Sequence, residues 1–279
     1  MLDAHHHLWA YNEKEYGWIP EGSPLAQDQL IPELESVTKE AGVKGTVAVQ
    51  ARQETAESDA LLAMSYQSPV IRGVVGWVPL IDEGVGEHLE RYAQHKAFVG
   101  VRHVLQDEPD EYFLRDDFHR GLAMLPGHNL RYDLLLFQRQ LPVATQLVDR
   151  QPNLPIIVDH IAKPEAKNGQ VEDGWRQGMK ELAKRDNVQM VKFSGLVTEF
   201  ADPAAVDPRT LESYFSETLE IFGADRVCFG TDWPVCLLRT SYLDWAETVR
   251  ELASRLSEDE EKAVLQTNAE RFYGLSPAE

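Results

Sequence analysis

Three consecutive histidines stand at positions 5–7, and imidazole is both a common metal ligand and a general base. Asp3 and the apolar pair Leu8-Trp9 flank the run directly, whereas an affinity tag is usually longer and followed by a linker. In an extended strand the side chains alternate between two faces, so Asp3, His5 and His7 are predicted to share one face and His6 the other. The pattern indicates either an H-x-H pair at a functional site or a solvated polar stretch.

Further ionisable residues interrupt short apolar, β-branched runs later in the chain. They are Arg102, His103, His160, Lys192 and Asp232. An unpaired buried charge costs much free energy, so ionisable residues in such positions indicate a shared polar site. Imidazoles and a carboxylate that converge would suit Zn²⁺ or a similar ion with a water molecule to activate.

Each of these residues also has a structural interpretation. His160 alone could be a hydrogen-bonded core histidine, and Asp232 in Gly-Thr-Asp-Trp-Pro could be a turn residue or a cap. Arg102 and Lys192 could each pair with a neighbouring acid. No function is assigned to the other histidines, which are predicted to lie on helices, in loops or on the wrong strand face: His6, His88, His95, His119 and His128. The joint occurrence of all the candidates favours a common site.

The elements that would position these residues follow a regular alternation of strands and amphipathic helices. Eight strands are predicted, at about Leu2–His7, Gly45–Gln50, Ile71–Val78, Val99–Val104, Leu130–Leu136, Pro155–His160, Gln189–Ser194 and Arg226–Thr231. Eight such units predict an α/β fold, the closed (β/α)₈ TIM barrel. The alternative, a doubly wound sheet, usually carries a Gly-rich phosphate turn after its first strand, and this sequence has none.

A barrel of this kind builds its active site at the carboxyl ends of its strands. The candidate residues fall at those ends, and Trp77 joins them on the third strand. By alternation, Val158 and His160 are predicted to share a face that Asp159 does not. The irregular, aromatic segment 8–29 follows the first strand, so it is predicted to cover the barrel mouth as a lid or binding loop or, alternatively, to pack on the surface.

Length and composition bound the remaining possibilities. The 279 residues match one barrel, and no linker divides them, so a single domain over 1–279 with a C-terminal helix is expected. The net charge of −19 argues against nucleic acid or an anionic membrane as a partner. No apolar run is long enough to span a membrane, and a strand beginning at residue 2 leaves no room for a signal peptide. Two cysteines, Cys228 and Cys236, form no disulfide framework, so a cytoplasmic location is expected.

Seven segments carry a resemblance to a known family. They are Asp-Ala-His-His-His-Leu-Trp (3–9), Val-Val-Gly-Trp-Val (74–78), Gly-Val-Arg-His (100–103), Asp-His-Ile-Ala-Lys-Pro (159–164), Lys-Phe-Ser-Gly-Leu (192–196), Phe-Gly-Thr-Asp-Trp-Pro (229–234) and Asn-Ala-Glu-Arg-Phe-Tyr (268–273). Together they span nearly the whole chain. The chain resembles the amidohydrolase superfamily, and specifically its branch of small lactonases, which includes sugar-acid lactonases and 2-pyrone-4,6-dicarboxylate lactonase.

The resemblance implies a hydrolase in which His5, His7, His160 and Asp232 take the places of the metal- or carbonyl-binding histidines and the aspartate of the eighth strand. Arg102 stands where binuclear members carry a bridging lysine or glutamate, so a binuclear centre is not expected. Some members of this branch resemble metalloenzymes and others work without metal. The expected cofactor is therefore one divalent ion, Zn or Mn, or none.

For a lactone substrate, Asp232 is predicted to activate water, because it is the only carboxylate in the predicted constellation, and the three histidines to polarise the carbonyl. Predicted substrate contacts are Arg102, His103, Lys192, Trp77, Trp233 and Trp18. Arg102 is the one good arginine candidate on the strands, so a neutral sugar lactone, such as L-fuconolactone or L-rhamnonolactone, is favoured over a dicarboxylate, which would need several converging arginines. The alternatives are a mononuclear-metal decarboxylase of the superfamily and a non-catalytic sugar- or metal-binding barrel. The sequence leaves the sugar and the oligomeric state open.

Overall fold

The computed structural model describes residues 1–166, 170–200 and 206–276. Eight strands form one parallel sheet in which each strand pairs with the next along the chain. They are β1 (Leu2–His6), β2 (Gly45–Val49), β3 (Ile71–Gly76), β4 (Phe98–His103), β5 (Arg131–Leu134), β6 (Ile156–Val158), β7 (Val188–Phe193) and β8 (Val227–Phe229). All eight predicted strands are present, and β5, β6 and β8 are each three residues shorter than expected.

A helix follows each strand and carries the chain back to the start of the next one, as a parallel sheet requires. The helices are α1 (Ile31–Glu40), α2 (Thr55–Ser65), α3 (Val85–Ala93), α4 (Asp116–Met124), α5 (Leu141–Asp149), α6 (Asp173–Ala183), α7 (Pro208–Phe222), α8 (Tyr242–Ala253), α9 (Glu258–Lys262) and α10 (Asn268–Tyr273). This alternation confirms the predicted (β/α)₈ TIM barrel.

The barrel closes where the chain beyond β8 meets β1. His6 forms a parallel bridge with Trp233. The backbone N–H of Asp232 donates to the carbonyl of His5 at 2.8 Å, and the N–H of His7 donates to the carbonyl of Trp233 at 2.6 Å. The residues that close the barrel therefore include the first-strand histidines and the aspartate that follows the last strand.

Helix α8 supports this junction from outside. It begins after Ser241, whose hydroxyl accepts from the N–H of Asp244 at 3.0 Å as a helix cap. Trp245 donates through Nε1 to the carbonyl of Gly230 at 2.8 Å, and Tyr242 donates to Asp3 at 3.0 Å. These contacts fix the ends of β1 and β8 to one helix.

A small apolar cluster fills the interior of the barrel. Its strand residues are Leu2, Ala4, Val47, Val49, Val75, Val99, Ile157, Met190 and Cys228. Ala269, Phe272 and Tyr273 of α10 belong to the same cluster. Asn268 donates to the carbonyls of Ala224 and Val227 at 2.7 and 2.8 Å, so α10 lies against the amino-terminal ends of the strands. The C-terminal helix thus closes the end of the barrel opposite to the candidate site.

Simple strand alternation fails at two places. Asp3 was predicted to share a face with His5 and His7, but β1 carries a register shift between Asp3 and His6. An extra residue at such a bulge breaks the alternation. Asp3 instead accepts hydrogen bonds from Thr231 at 2.6 Å and from Tyr242 of α8, so it lies on the helix-facing side.

The second failure is at the end of β6, which stops at Val158. Val158 packs in the outer cluster between sheet and helices, while Ile157 lies in the interior cluster. Asp159 continues the interior face and contacts Arg102 and Lys192, so the prediction that it faces away from the site is wrong.

Both cysteines, Cys228 and Cys236, are buried free thiols, as expected from the sequence. Within the described parts of the chain, no helix combines the length and the apolar character that crossing a membrane requires.

Candidate active site

Three imidazoles converge on one carboxylate oxygen at the carboxyl end of the barrel. The Oδ1 atom of Asp232 lies 3.2 Å from Nε2 of His7 and 3.8 Å from Nε2 of both His5 and His160. All four side chains are at most 6% exposed. The structure therefore brings together the four residues that the sequence singled out.

His7 is oriented by the neighbouring strand. Its Nδ1 donates to the carbonyl of Val49, the last residue of β2, at 2.8 Å. In a neutral ring this bond leaves the lone pair on Nε2, which faces Asp232. Nε2 of His7 and Oδ1 of Asp232 are then two acceptors only 3.2 Å apart. Such a contact is favourable only when a proton or a metal cation lies between the two atoms.

His160 reaches the site through an unusual backbone. His160, Ile161, Ala162 and Lys163 have φ angles of 51°, 46°, 59° and 43°, a left-handed run that costs non-glycine residues free energy. The run turns His160 towards His5, with ring centroids 4.3 Å apart. Such consecutive strain is retained where the surrounding structure enforces it, and functional sites are its usual location.

The end of β7 secures the ring of His160. Ser194 hydrogen-bonds its Nδ1 at 2.9 Å. Gly195 adopts φ +67°, and a Cβ atom there would lie 2.6 Å from Nδ1 of His160, so only glycine allows this close approach. Burial lowers the pKa of His160 to about 4, which makes the ring neutral at physiological pH.

Asp232 itself has a left-handed backbone, with φ 57°. Burial acts to raise the pKa of its carboxyl, but the electrostatic interactions with His160 and His7 outweigh this effect and lower the pKa. Asp232 is therefore ionised at neutral pH and able to accept a proton.

Beneath the histidines lies a wholly internal group of charges that we call the buried ion cluster: Arg102, Asp133, Asp159 and Lys192. Lys192 contacts Asp133 at 2.5 Å and Asp159 at 2.9 Å, and all three side chains are 0% exposed. Arg102 contacts the other oxygen of Asp159 at 3.2 Å. Two cations and two anions balance one another, which is the condition for keeping charges in a protein interior.

The cluster corrects one expectation from the sequence. Asp232 is not the only carboxylate in the constellation, since Asp159 lies 3.4 Å from Nδ1 of His5. Burial acts to raise the pKa of Asp159, but the charges of Lys192 and His5 outweigh it and hold the pKa well below its usual range. The Asp-His dipeptide at 159–160 was the available signal, and strict alternation hid it because the strand ends one residue earlier.

A cavity of about 380 Å³ opens above the convergent side chains. His7, His160 and Asp232 line it together with the predicted contacts Arg102 and Trp18. Trp18 belongs to the aromatic segment 8–29, is 50% exposed and packs edge-on against Trp9 at 5.9 Å between ring centroids. The segment therefore contributes to the mouth of the barrel, as predicted.

Three polar residues on the cavity wall were missed from the sequence: Gln106, Asp107 and Lys163. Gln106 and Asp107 lie in a short helical turn directly after β4, and Lys163 ends the left-handed run. Their only signal was proximity to a strand end. Lys163 lies 3.6 Å from Glu199, which places an ion pair at the same mouth.

The other predicted substrate contacts lie away from the cavity lining. Lys192 is wholly buried in the ion cluster. Trp233 is 2% exposed and packs near His6. Trp77 donates to Nδ1 of His103 at 3.3 Å, and His103 donates through Nε2 to Glu108 at 3.0 Å. The substrate roles of these four residues stay predictions, and their placement favours structural ones.

The donor set fits a divalent metal ion. One ligand atom each from His5, His7 and Asp232 lie within 4.8 Å of one another, and so do those of His5, Asp159 and His160. Ligands bound tetrahedrally to zinc at 2.0–2.1 Å are about 3.3 Å apart, close to the 3.2 and 3.8 Å separations around Asp232. The bond from His7 to a backbone carbonyl is also the usual outer-shell partner of a metal-binding imidazole.

The amidohydrolase family profile matches residues 2–275. The chain belongs to the amidohydrolase family. The L-fucono-1,5-lactonase of Burkholderia multivorans is 38% identical over 286 residues, covering 98% of this chain and 96% of the relative. An L-fucono-1,5-lactonase of Burkholderia ambifaria is 32% identical over 280 residues, covering 98% and 95%.

A solved structure supports the same relationship. An amidohydrolase from Burkholderia multivorans, crystallised with bound zinc, superposes with a TM-score of 0.93 at 36% sequence identity, and 99% of each chain is covered. Family membership is consistent with the donor set described above, because histidines and an aspartate that could hold a divalent ion converge in this barrel.

Proposed function

We propose that this protein hydrolyses the ester ring of a sugar lactone. The observation that carries the proposal is the convergence of three imidazole Nε2 atoms on the ionised carboxylate of Asp232 at the floor of a cavity. The two relatives named L-fucono-1,5-lactonase, each matched over nearly its whole length, support a lactone as the substrate class.

In this mechanism Asp232 accepts a proton from a water molecule as the water oxygen attacks the lactone carbonyl carbon. The bond between that carbon and the ring oxygen then breaks, and Asp232 returns the proton to the departing ring oxygen. One water is consumed and one hydroxy acid is formed, so the protons balance. The low pKa of Asp232 keeps it in the form that accepts the first proton.

His5, His7 and Asp232, with His160 beside them, are the residues that would hold a divalent ion such as zinc or manganese. The chemistry that such an ion supplies when bound is Lewis acidity toward the lactone carbonyl. The imidazoles contribute orientation in either case, because each is fixed at Nδ1 by a neighbour: Val49 for His7, Ser194 for His160 and the ion cluster for His5.

The cavity wall favours a neutral, hydroxylated substrate. Arg102 lines the cavity, and its Nε has no hydrogen-bond partner among the residues that the structure describes. The same holds for Oε1 of Gln106. Sugar hydroxyls both donate and accept, so they suit an amide and a guanidinium together. Trp18 offers an exposed aromatic face for the sugar ring.

A dicarboxylate would require more positive charge than this wall offers. Arg102 is already paired with Asp159, and Lys163 with Glu199. Both cations are therefore largely neutralised before any substrate enters. L-Fuconolactone and L-rhamnonolactone are accordingly the first candidates within the neutral class.

A pH-indicator screen of aldonolactones, run with and without a chelator, tests the proposal. We expect rapid acid release from at least one six-carbon sugar lactone and little from 2-pyrone-4,6-dicarboxylate. A loss of turnover on chelation that added zinc or manganese restores would assign the ion to the reaction. Folded protein that opens no lactone, or that releases CO₂ from an unsaturated acid, would contradict the proposed reaction.

A further inference from the structure

The turn that follows β4 places two adjacent polar side chains on the wall of the active-site cavity. Residues Leu105–Asp107 form one short helical turn, and both Gln106 and Asp107 line the cavity. The reaction steps proposed above use neither side chain, since Asp232 handles the proton and the histidines lie at the cavity floor. Their position makes the two residues candidates for substrate recognition.

The backbone of this turn is fixed by the segment that follows β5. Buried Gln140 donates through Nε2 to the carbonyls of Leu105 at 3.1 Å and of Glu108 at 3.2 Å. Nη2 of Arg139 donates to the carbonyl of Gln106 at 3.3 Å. These hydrogen bonds occupy backbone groups only, so the two side chains on the cavity wall remain available to a ligand. Groups held on a fixed backbone lose little freedom when a ligand binds.

Both side chains present acceptors that lack a donor. Oε1 of Gln106 is buried and has no hydrogen-bond partner among the residues that the structure describes. Over the same residues, the exposed carboxylate of Asp107 accepts no hydrogen bond and forms no ion pair. A buried acceptor without a donor costs free energy, and an ionised carboxylate can only accept. The pair therefore favours a ligand that brings donors to this side of the cavity.

Hydroxyl groups meet the needs of this wall better than other donors. Nε of Arg102, which also lines the cavity, is a buried donor without a partner among the described residues. A hydroxyl can donate to Asp107 and accept from Arg102, whereas an ammonium cannot accept and a carboxylate cannot donate. The cations Arg102 and Lys163 on the wall also disfavour a positively charged ligand.

We propose that Asp107 and Gln106 form a diol clamp, a pair of specificity-determining residues that accepts hydrogen bonds from two hydroxyls on adjacent ring carbons of the lactone. Adjacent residues on one turn suit adjacent hydroxyls, and the two oxygens of a carboxylate can accept from both. The inference rests on the proposed lactonase function and narrows its substrates to neutral lactones with free vicinal hydroxyls. The negative charge of Asp107 disfavours a carboxylate at this position of the substrate, and a methyl ether there offers no donor.

The kinetic test compares Asp107→Leu with Glu111→Leu, which removes an exposed carboxylate outside the cavity lining. Both are measured on a sugar lactone that the wild type opens and on its monodeoxy analogues. Asp107→Leu should lower kcat/KM about tenfold, mainly through KM, which is the effect of losing a hydrogen bond to a charged group. Glu111→Leu should resemble the wild type. Should Asp107→Leu fail to fold, Asp107→Asn keeps the shape without the charge and should lose activity severalfold.

The analogues distinguish the clamp from a general effect on the fold. Removal of either clamped hydroxyl should lower kcat/KM of the wild type about as much as Asp107→Leu does, and should cost Asp107→Leu little more. Near-native kcat/KM in Asp107→Leu, or an equal further loss on every analogue, would overturn the proposal.

Binding of a lactam separates the clamp from the proposed reaction. The 1,5-lactam that corresponds to L-fucono-1,5-lactone carries the same hydroxyls but resists hydrolysis, and calorimetry measures its affinity. We expect the wild type and Glu111→Leu to bind it alike and Asp107→Leu to bind it about tenfold more weakly. A wild type that binds the lactam but opens no lactone would refute the proposed function alone. Equal affinity in all three proteins would overturn the clamp.

Discussion

The backbone N–H of Asp232 donates to the carbonyl of His5 across 2.8 Å, so the bond that closes the barrel also sets the distance between the catalytic candidates. Because their backbones are joined, the two side chains lie side by side, with 3.8 Å between Nε2 and Oδ1. A barrel that did not close at this point would separate the base from the first-strand histidines. Fold and site are therefore formed by the same contact.

The three adjacent histidines should differ sharply in their effect on catalysis. His6 hydrogen-bonds Thr46 at 2.9 Å on the outer side of β1, whereas His5 and His7 face Asp232. His6→Ala should cost about 1–3 kcal/mol of stability, through the loss of a buried hydrogen bond, but leave most of kcat intact. His5→Ala and His7→Ala should each abolish turnover. Thermal unfolding and kcat of the three variants check this, and equal sensitivity at all three positions would contradict it.

Trp18 should contribute to substrate binding and not to the chemical step. Its indole is half exposed, lines the cavity and packs on Trp9, and it has no group that could transfer a proton to or from the lactone. Trp18→Ala should therefore raise KM while leaving kcat close to wild type, because uniform binding is lost and transition-state groups remain. Tyr66→Ala, which removes another exposed aromatic side chain outside the cavity, is the control. A collapse of kcat at constant KM in Trp18→Ala would refute this role.

Gln106 should increase kcat/KM for lactones that carry hydroxyl groups but not for lactones that lack them. Its buried Oε1 has no partner among the described residues, and it lines the cavity. Gln106→Leu should lower kcat/KM for the preferred sugar lactone by about tenfold, the effect of one or two hydrogen bonds, and leave δ-valerolactone, which lacks hydroxyls, unaffected. Parallel measurements on both substrates check it. Equal losses on both would show that Gln106 only supports the fold.

The contribution of Glu57 to stability should fall as the pH rises through the slightly acidic range. Glu57 anchors the aromatic segment, as it accepts from Tyr16 at 3.5 Å and from the N–H groups of Ala51 and Arg52. Burial raises its pKa from 4.5 to about 7. The Glu57 side chain of the folded state therefore keeps a proton that it has lost in the unfolded chain above pH 4.5, so its contribution to the free energy of unfolding decreases between about pH 4.5 and pH 7.

Chemical denaturation at several pH values measures this slope. Asp3 and Asp133, whose pKa values burial raises to about 6, contribute in the same direction, whereas His6 and His160, whose pKa values burial lowers to about 3 and about 4, contribute in the opposite direction. Glu57→Gln keeps an oxygen for the two backbone donors but cannot titrate, so its slope of unfolding free energy against pH should be more positive than that of the wild type. Identical slopes in the two proteins would show that Glu57 does not hold a proton in the folded state.

The sequence was sufficient for the architecture and for the residues at the strand ends, because both follow from local periodicity. Alternation within a strand assigned His5 and His7 to one face correctly. It failed for Asp3 and Asp159, since a bulge in β1 and the early end of β6 change the count by one residue. Such irregularities of the backbone cannot be predicted from the hydrophobic pattern of the sequence.

The buried ion cluster could not be predicted from the sequence, for a different reason. Asp133 sits in the middle of an apolar run, and its partners Lys192 and Tyr273 are 59 and 140 residues away along the chain. Lys192 was accordingly predicted to bind substrate, whereas it is enclosed beneath the site. Pairing of buried charges across a barrel is decided by the closed fold, so it becomes visible only in three dimensions.

The most direct measurement of the central claim is the turnover of Asp232→Asn on a sugar lactone that the wild type opens. Asparagine is nearly isosteric, tolerates the left-handed backbone at this position and keeps the N–H bond to His5, but its amide cannot accept a proton from water. We predict a folded protein that still binds substrate and whose kcat is lower by at least ~10²-fold, the usual contribution of a positioned base. A folded Asp232→Asn protein with near-native kcat would contradict the account.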